Sequence, residues 1–182
     1  MRAVIWRGTL PLLRLALPIL ALFALAACTG GNTVPKSEPS FYRNLARPGA
    51  ILDDAAAASM ISGYRANNGL PAVSLDPELT RLAAAQVAAM AKRDRLDHGA
   101  GKPFVARLKA SGYDAKTAAE NISAGYHTLA EAFSGWRDSP PHRANMLLKG
   151  ATRMGIAAVY TPSSKYKVYW ALILAELEDG KG

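Results

Sequence analysis

Tyr166-Lys167-Val168-Tyr169-Trp170-Ala171-Leu172-Ile173-Leu174-Ala175 is the stretch that decides the fold. Val168, Trp170, Leu172 and Leu174 fall on one face of an extended chain, and Tyr169, Ala171 and Ile173 on the other. A strand apolar on both faces is central in its sheet and covered on both sides. A second run rich in β-branched and aromatic residues, 154–160, precedes it, and Thr161-Pro162-Ser163-Ser164-Lys165 between them reads as a hairpin loop. The chain before these strands carries helical periods. Helices followed by strands covered on both faces give an α+β class, a three-layer α-β-α sandwich around a central, mainly antiparallel sheet.

Working outward, the clearest helix start is Asp76-Pro77-Glu78: an N-cap, a proline at the first helical position and an acid at the positive helix end. Leu79, Leu82, Ala83, Val87 and Met90 then form one buried stripe, and the alanines between them allow close packing. An earlier helix is capped by Asp53 or Asp54 and turns Ala56, Met60, Ile61 and Tyr64 inward. It stops at Asn67-Asn68-Gly69, with Pro71 barring continuation. A short helix through Phe104, Val105 and Leu108 ends at Gly112, and 119–124 reads as a short extended segment. Thr128 caps a helix carrying Leu129, Ala132, Phe133 and Trp136, broken by Pro140-Pro141, with a further turn or two over 142–148.

The 182 residues are half apolar and one-fifth charged, which is globular composition and excludes wholesale disorder. A single Cys excludes an internal disulfide framework and any cysteine-based zinc module. The net charge of +8 drops to +5 without Arg2, Arg7 and Arg14, and the remaining basic residues are scattered without an aromatic-interleaved stripe. Nucleic acid is therefore not an expected partner.

Those three arginines precede an apolar run of about 13 residues over 15–27, too short for the roughly 20 that span a bilayer. Leu25-Ala26-Ala27-Cys28 follows and resembles the bacterial lipobox, in which the Cys is acylated. Residues 1–27 are thus expected to be a lipoprotein signal peptide, and Cys28 the anchor to the membrane. Thr29 in place of Asp favours the outer membrane over the inner. Residues 28–50, rich in Gly, Pro and Ser, are expected to be a flexible tether with a root-mean-square span of ~25 Å. The globular domain occupies 51–178, is expected to be monomeric, and is followed by a tail at 179–182.

Three histidines and a few acids near chain breaks are the candidates for chemistry. His98 precedes a glycine turn, Glu120 and Asn121 adjoin the extended segment, and His142 follows Pro140-Pro141. Two imidazoles and a carboxylate suffice for a weak metal site or for acid–base work. Spacing alone favours solvated or capping histidines, and His127 stays in that class. There is no Gly-x-Ser-x-Gly elbow, no His-Glu-x-x-His, no Walker loop and no dinucleotide fingerprint. Ser139 lies near His142 but lacks the orienting acid of a nucleophile.

Several motifs in order make the pattern specific. They are Tyr64-Arg65-x-Asn67-x-Gly69-Leu70-Pro71, Leu96-x-His98, Ala119-Glu120-Asn121, Trp136-x-x-Ser139-Pro140-x-His142-Arg143-Ala144-Asn145-Met146-Leu147 and Met154-Gly155-Ile156-Ala157. Together they resemble the bacterial branch of the CAP superfamily, the cysteine-rich secretory, antigen 5 and pathogenesis-related proteins, also called SCP domains. The resemblance covers about 51–175 and implies an α-β-α sandwich with a cleft of two His and two acids, able in some members to hold zinc or another divalent cation. His98, Glu120 and His142 match three of the four positions, and Ser139 stands where the second acid would be. The resemblance therefore implies a weak metal site at most, and no cofactor is required. Asn121 and Asn145 are expected to hold the cleft loops and Trp136 to anchor its helix in the core. Arg143 is either a surface charge or a partner of Glu120.

The expected function is that of an envelope lipoprotein whose His/Glu cleft binds a lipid, glycan or protein, more a binding module than an enzyme. The alternative is a metal-dependent hydrolase using the same cleft. Replacing Cys28 by Ser is expected to release the protein from the membrane fraction after leader removal. Persistent integral-membrane behaviour of that variant in fractionation would refute the lipobox reading.

Overall fold

The computed structural model describes residues 38–178. The leader, Cys28, the first part of the expected tether and the tail lie outside the described residues.

Four strands form one sheet, β1 (Ser74–Leu75), β2 (Ala115–Ala124), β3 (Arg153–Tyr160) and β4 (Val168–Leu177), in the order β1-β3-β4-β2. β4 pairs antiparallel with both β3 and β2, and only the two-residue β1 runs parallel to its neighbour. The alternation in the opening stretch sorts β4 between two cores. Val168, Trp170, Leu172 and Leu174 pack with α1 (Asp54–Ala66), α4 (Leu129–Asp138) and α5 (Pro140–Met146), whereas Tyr169, Ala171, Ile173 and Ala175 pack with α2 (Pro77–Arg93). Every residue from Val168 to Ala175 is buried. The short α3 (Phe104–Ala110) lies on the α2 side. This is a three-layer α-β-α sandwich.

Local chemistry sets the helix ends. The Asp53 carboxylate accepts from the Ala56 N–H, and that of Asp76 from Glu78 and Leu79, with Pro77 opening α2. Thr128 and Glu131 form a reciprocal capping box on α4. α2 lies directly on β3 because of Gly155: a Cβ there would sit 2.1 Å from the Leu79 carbonyl carbon. Glycine at this point is a packing requirement.

Three expectations change, and one short strand was not foreseen. The tether gives way to packed chain from residue 38 onward. A 3-10 turn (Ser40–Tyr42) lies against α1 and α4, and Leu45 is 5% exposed and donates its N–H to the His127 carbonyl. A lone leucine in a polar, Pro/Gly-rich stretch found a place in the core. The inward stripe of α1 is Ala57, Ile61 and Arg65, with Ala56, Met60 and Tyr64 only half-buried. The extended segment at 119–124 is the end of a ten-residue strand, and the two-residue β1 had no periodicity to announce it.

Arg65 is what turns α1. It is fully buried and has no acid partner among the described residues; its guanidinium donates to four carbonyls, Pro71 (2.9 Å), Met146 (3.0 Å), Leu148 (2.9 Å) and Ala151 (2.9 Å). Burial pushes its pKa down, yet an arginine stays charged in proteins. Replacing Arg65 by Ala is expected to cost about 3–5 kcal/mol, since it strands several buried carbonyls. Lys should not rescue it, because an ammonium cannot span the same fork. Chemical denaturation of the three proteins measures both effects, and a loss within ~0.5 kcal/mol would remove Arg65 from the frame.

Candidate functional site

The site lies where the edge strand β2 meets the loop after α2 on one face of the sheet and α5 on the other. Successive β2 residues point to opposite faces. Glu120 thus points towards α3, and Asn121 towards α5.

The loop carrying His98 is held at several points. α2 ends at Asp94 in the left-handed region (φ +47°), and its carboxylate accepts from the hydroxyls of Tyr169 (2.6 Å) and Ser164. Those bonds hold its pKa below the ordinary carboxylate value, the Ser164 bond first. The Gln86 side chain donates to the Asp97 carbonyl at 2.8 Å, and the Asp97 carboxylate accepts from the Gly99 N–H. The His98 backbone is therefore fixed while its side chain is 54% exposed.

Glu120 is the buried centre, its side chain only 1% exposed. His98 Nδ1 lies 2.9 Å from Oε1 and Arg107 Nη2 lies 2.5 Å from Oε2. A carboxylate only accepts hydrogen bonds, so Nδ1 carries the proton and Nε2 of His98 is turned outward. Arg107 comes from α3. Its Nε donates to the Lys102 carbonyl at 3.0 Å, its guanidinium lies 5.4 Å from the centre of the Phe104 ring, and its Nη1 is buried with no partner among the described residues.

Two asparagines attach α5 to the strand edge. Asn121 donates to the His142 carbonyl at 2.9 Å. Asn145 donates to Asn121 Oδ1 at 2.9 Å and to the Glu120 carbonyl at 3.2 Å. This pair of amides satisfies an outward carbonyl of β2 and fixes the turn that carries His142. The imidazole of His142 is half-buried; burial, and then the neighbouring His98, push its pKa below the ordinary value. Ser139 is half-buried at the junction of α4 and α5, and its side chain makes no capping bond. Trp136 is 1% exposed and belongs to the core on the α4 side.

The sequence reading missed Arg107 altogether. Arg143, which it weighed as a partner for Glu120, is exposed, and Arg107 holds that carboxylate instead. A glutamate facing the inside of a sandwich needs a cation, and this was the one available signal. The ligand set expected for a divalent cation is not assembled. Among the described residues no three His, Cys, Asp or Glu side chains gather to hold a metal ion, and both oxygens of Glu120 are committed to other donors.

The comparisons agree with this architecture. The model of the cysteine-rich secretory protein (CAP) family matches residues 58–174, well over half of the chain. The chain belongs to the CAP family. The uncharacterized protein YkwD of Bacillus subtilis is 33% identical over 107 residues, which are 57% of this chain and 41% of that relative. The match thus spans less than half of the relative's length. Two solved structures share the fold. An outer surface protein from Borrelia burgdorferi has a TM-score of 0.62 at 16% identity, covering 71% of this chain and 99% of that one. An extracellular SCP-domain protein from Bacillus anthracis has a TM-score of 0.59 at 20% identity, covering 67% and 39%.

In this CAP domain, the depressed pKa of His142 couples the site to stability. A histidine whose folded pKa lies below its unfolded value near 6.5 binds more protons when unfolded, so stability is full above that pH and falls as pH drops through it. His142→Gln is expected to flatten the loss of stability below about pH 6.5. Denaturation midpoints of both proteins across that range check it, and parallel slopes would contradict it.

Proposed function

We propose that this protein is a lipoprotein of the cell envelope, anchored through Cys28, whose CAP domain binds a polar ligand at the cleft of His98, Glu120, Ser139 and His142. One observation carries the reading. Glu120 is buried with both oxygens engaged, by His98 and by Arg107. It acts as the fixed base of the site, neither a free general base nor an open metal ligand. What the cleft then offers is an oriented imidazole acceptor at His98 Nε2, a second imidazole and a hydroxyl.

Such groups recognise hydroxyls and other hydrogen-bond donors, so envelope glycans, the polar surface of an envelope protein or a lipid headgroup suit them better than an acyl chain. An anchor at the outer membrane, facing the periplasm or the surface, brings the cleft to those ligands. The Borrelia burgdorferi relative is an outer surface protein and its Bacillus anthracis counterpart is extracellular, which agrees with an exported domain. The alternative, a metal-dependent hydrolase, requires Glu120 to leave its two partners.

Native mass spectrometry of the full protein, extracted from its own membranes in detergent, tests the proposal. The expected result is a co-purifying polar ligand that is lost in His98→Ala. Hydrolysis of envelope material that depends on His98 and on added divalent metal would replace binding by catalysis.

A further inference from the structure

We propose that Arg107 is the resident cation of this cleft and that residue 107 decides whether the site accepts a divalent metal. The resemblance to CAP domains implies a metal between two histidines and acids, and the geometry around Glu120 does not fit one. Both oxygens of a carboxylate that is 1% exposed are taken, and one of its partners is itself a cation. A divalent ion reaching Oε2 would have to displace the guanidinium and then sit beside its charge in a poorly solvated place.

Arg107 is well placed to resist displacement. Its side chain is 10% exposed, is held by the Lys102 carbonyl and lies over the Phe104 ring. Attachment to the chain means that it pays no association entropy, and a guanidinium stays protonated at every physiological pH. Ser139 adds a second deficit, since a hydroxyl stands where an acid would complete a metal site. The missing acid and the arginine act in the same direction. Each lowers the negative charge a metal would meet, and the result is a cleft whose charge is balanced from within.

The test is zinc titration by calorimetry of the full chain in detergent. Comparing wild type with Glu120→Gln removes any contribution from sites elsewhere, such as an unacylated Cys28. Wild type and Glu120→Gln are expected to bind zinc identically, with no site that depends on Glu120. Arg107→Met keeps an unbranched apolar stem and removes the guanidinium and its charge. It is expected to create a Glu120-dependent zinc site on the order of 100-fold tighter than the residual binding of the wild type, by removing the competing charge, and Glu120→Gln or His98→Ala in that background should abolish the gain. A stoichiometric wild-type site that vanishes in Glu120→Gln overturns the proposal, as does a folded Arg107→Met without the gain. If Arg107→Met fails to fold, as judged by circular dichroism, the wild-type comparison with Glu120→Gln still decides. A purely structural arginine would lower stability when replaced and would create no metal affinity.

Discussion

The Arg65 guanidinium, solvated inside the protein by backbone carbonyls, is the interaction on which the arrangement of the site depends. It belongs to α1, yet three of its four acceptors, Met146, Leu148 and Ala151, lie at the end of α5 and on the approach to β3. The last carbonyls of a helix have no partner within it, and a buried helix end needs donors from elsewhere. Arg65 supplies them from one planar group. It also fixes Pro71, where the chain turns from α1 towards β1 and α2. Without that group, the Met146 carbonyl at the end of α5 would lose a buried donor, and the turn carrying His142 and Asn145 would depend on the asparagine bonds to β2.

Two arginines therefore work in opposite electrostatic settings. Arg65 is surrounded by dipoles alone and stitches segments more than 80 residues apart in the chain, whereas Arg107 faces a full carboxylate and balances it. The first contributes geometry and the second charge. A salt bridge as well covered as Arg107–Glu120 gives little net stability over an apolar pair, because desolvating both ions offsets their attraction. Its physical effect is to fix which groups the cleft presents, with the His98 ring held through Nδ1.

How much of this was legible in the sequence follows from the range of the forces involved. β4 was legible because alternation on two faces is a local pattern, and α2 because Asp76, Pro77 and Glu78 act on the first turn that they precede. Leu45 and Arg65 were not: Leu45 has no periodic neighbour, and Arg65, although in step with Ala57 and Ile61, carries a charge that is expected at the surface. Three of the four carbonyls that Arg65 binds come from a distant part of the chain, and no window along the sequence contains them with it. His98, Glu120 and His142 were found through resemblance to a family, not through spacing, for the fold brings them together from both sides of the sheet. Arg107 was invisible for a related reason. On α3 it looks like any exposed basic residue, and its role appears only when β2 turns Glu120 towards it.

The position of the site at a sheet edge follows from the same constraint. Strand edges carry unpaired backbone groups and are normally protected. Here the protection is supplied by Asn145, which occupies the Glu120 carbonyl, while Asn121 binds the turn of His142. The residues that close the edge are therefore the ones that place the second imidazole. On the opposite face, Asp94 and Gln86 hold the loop of the first. The two histidines are thus tied to packed layers on opposite faces of the same strand edge.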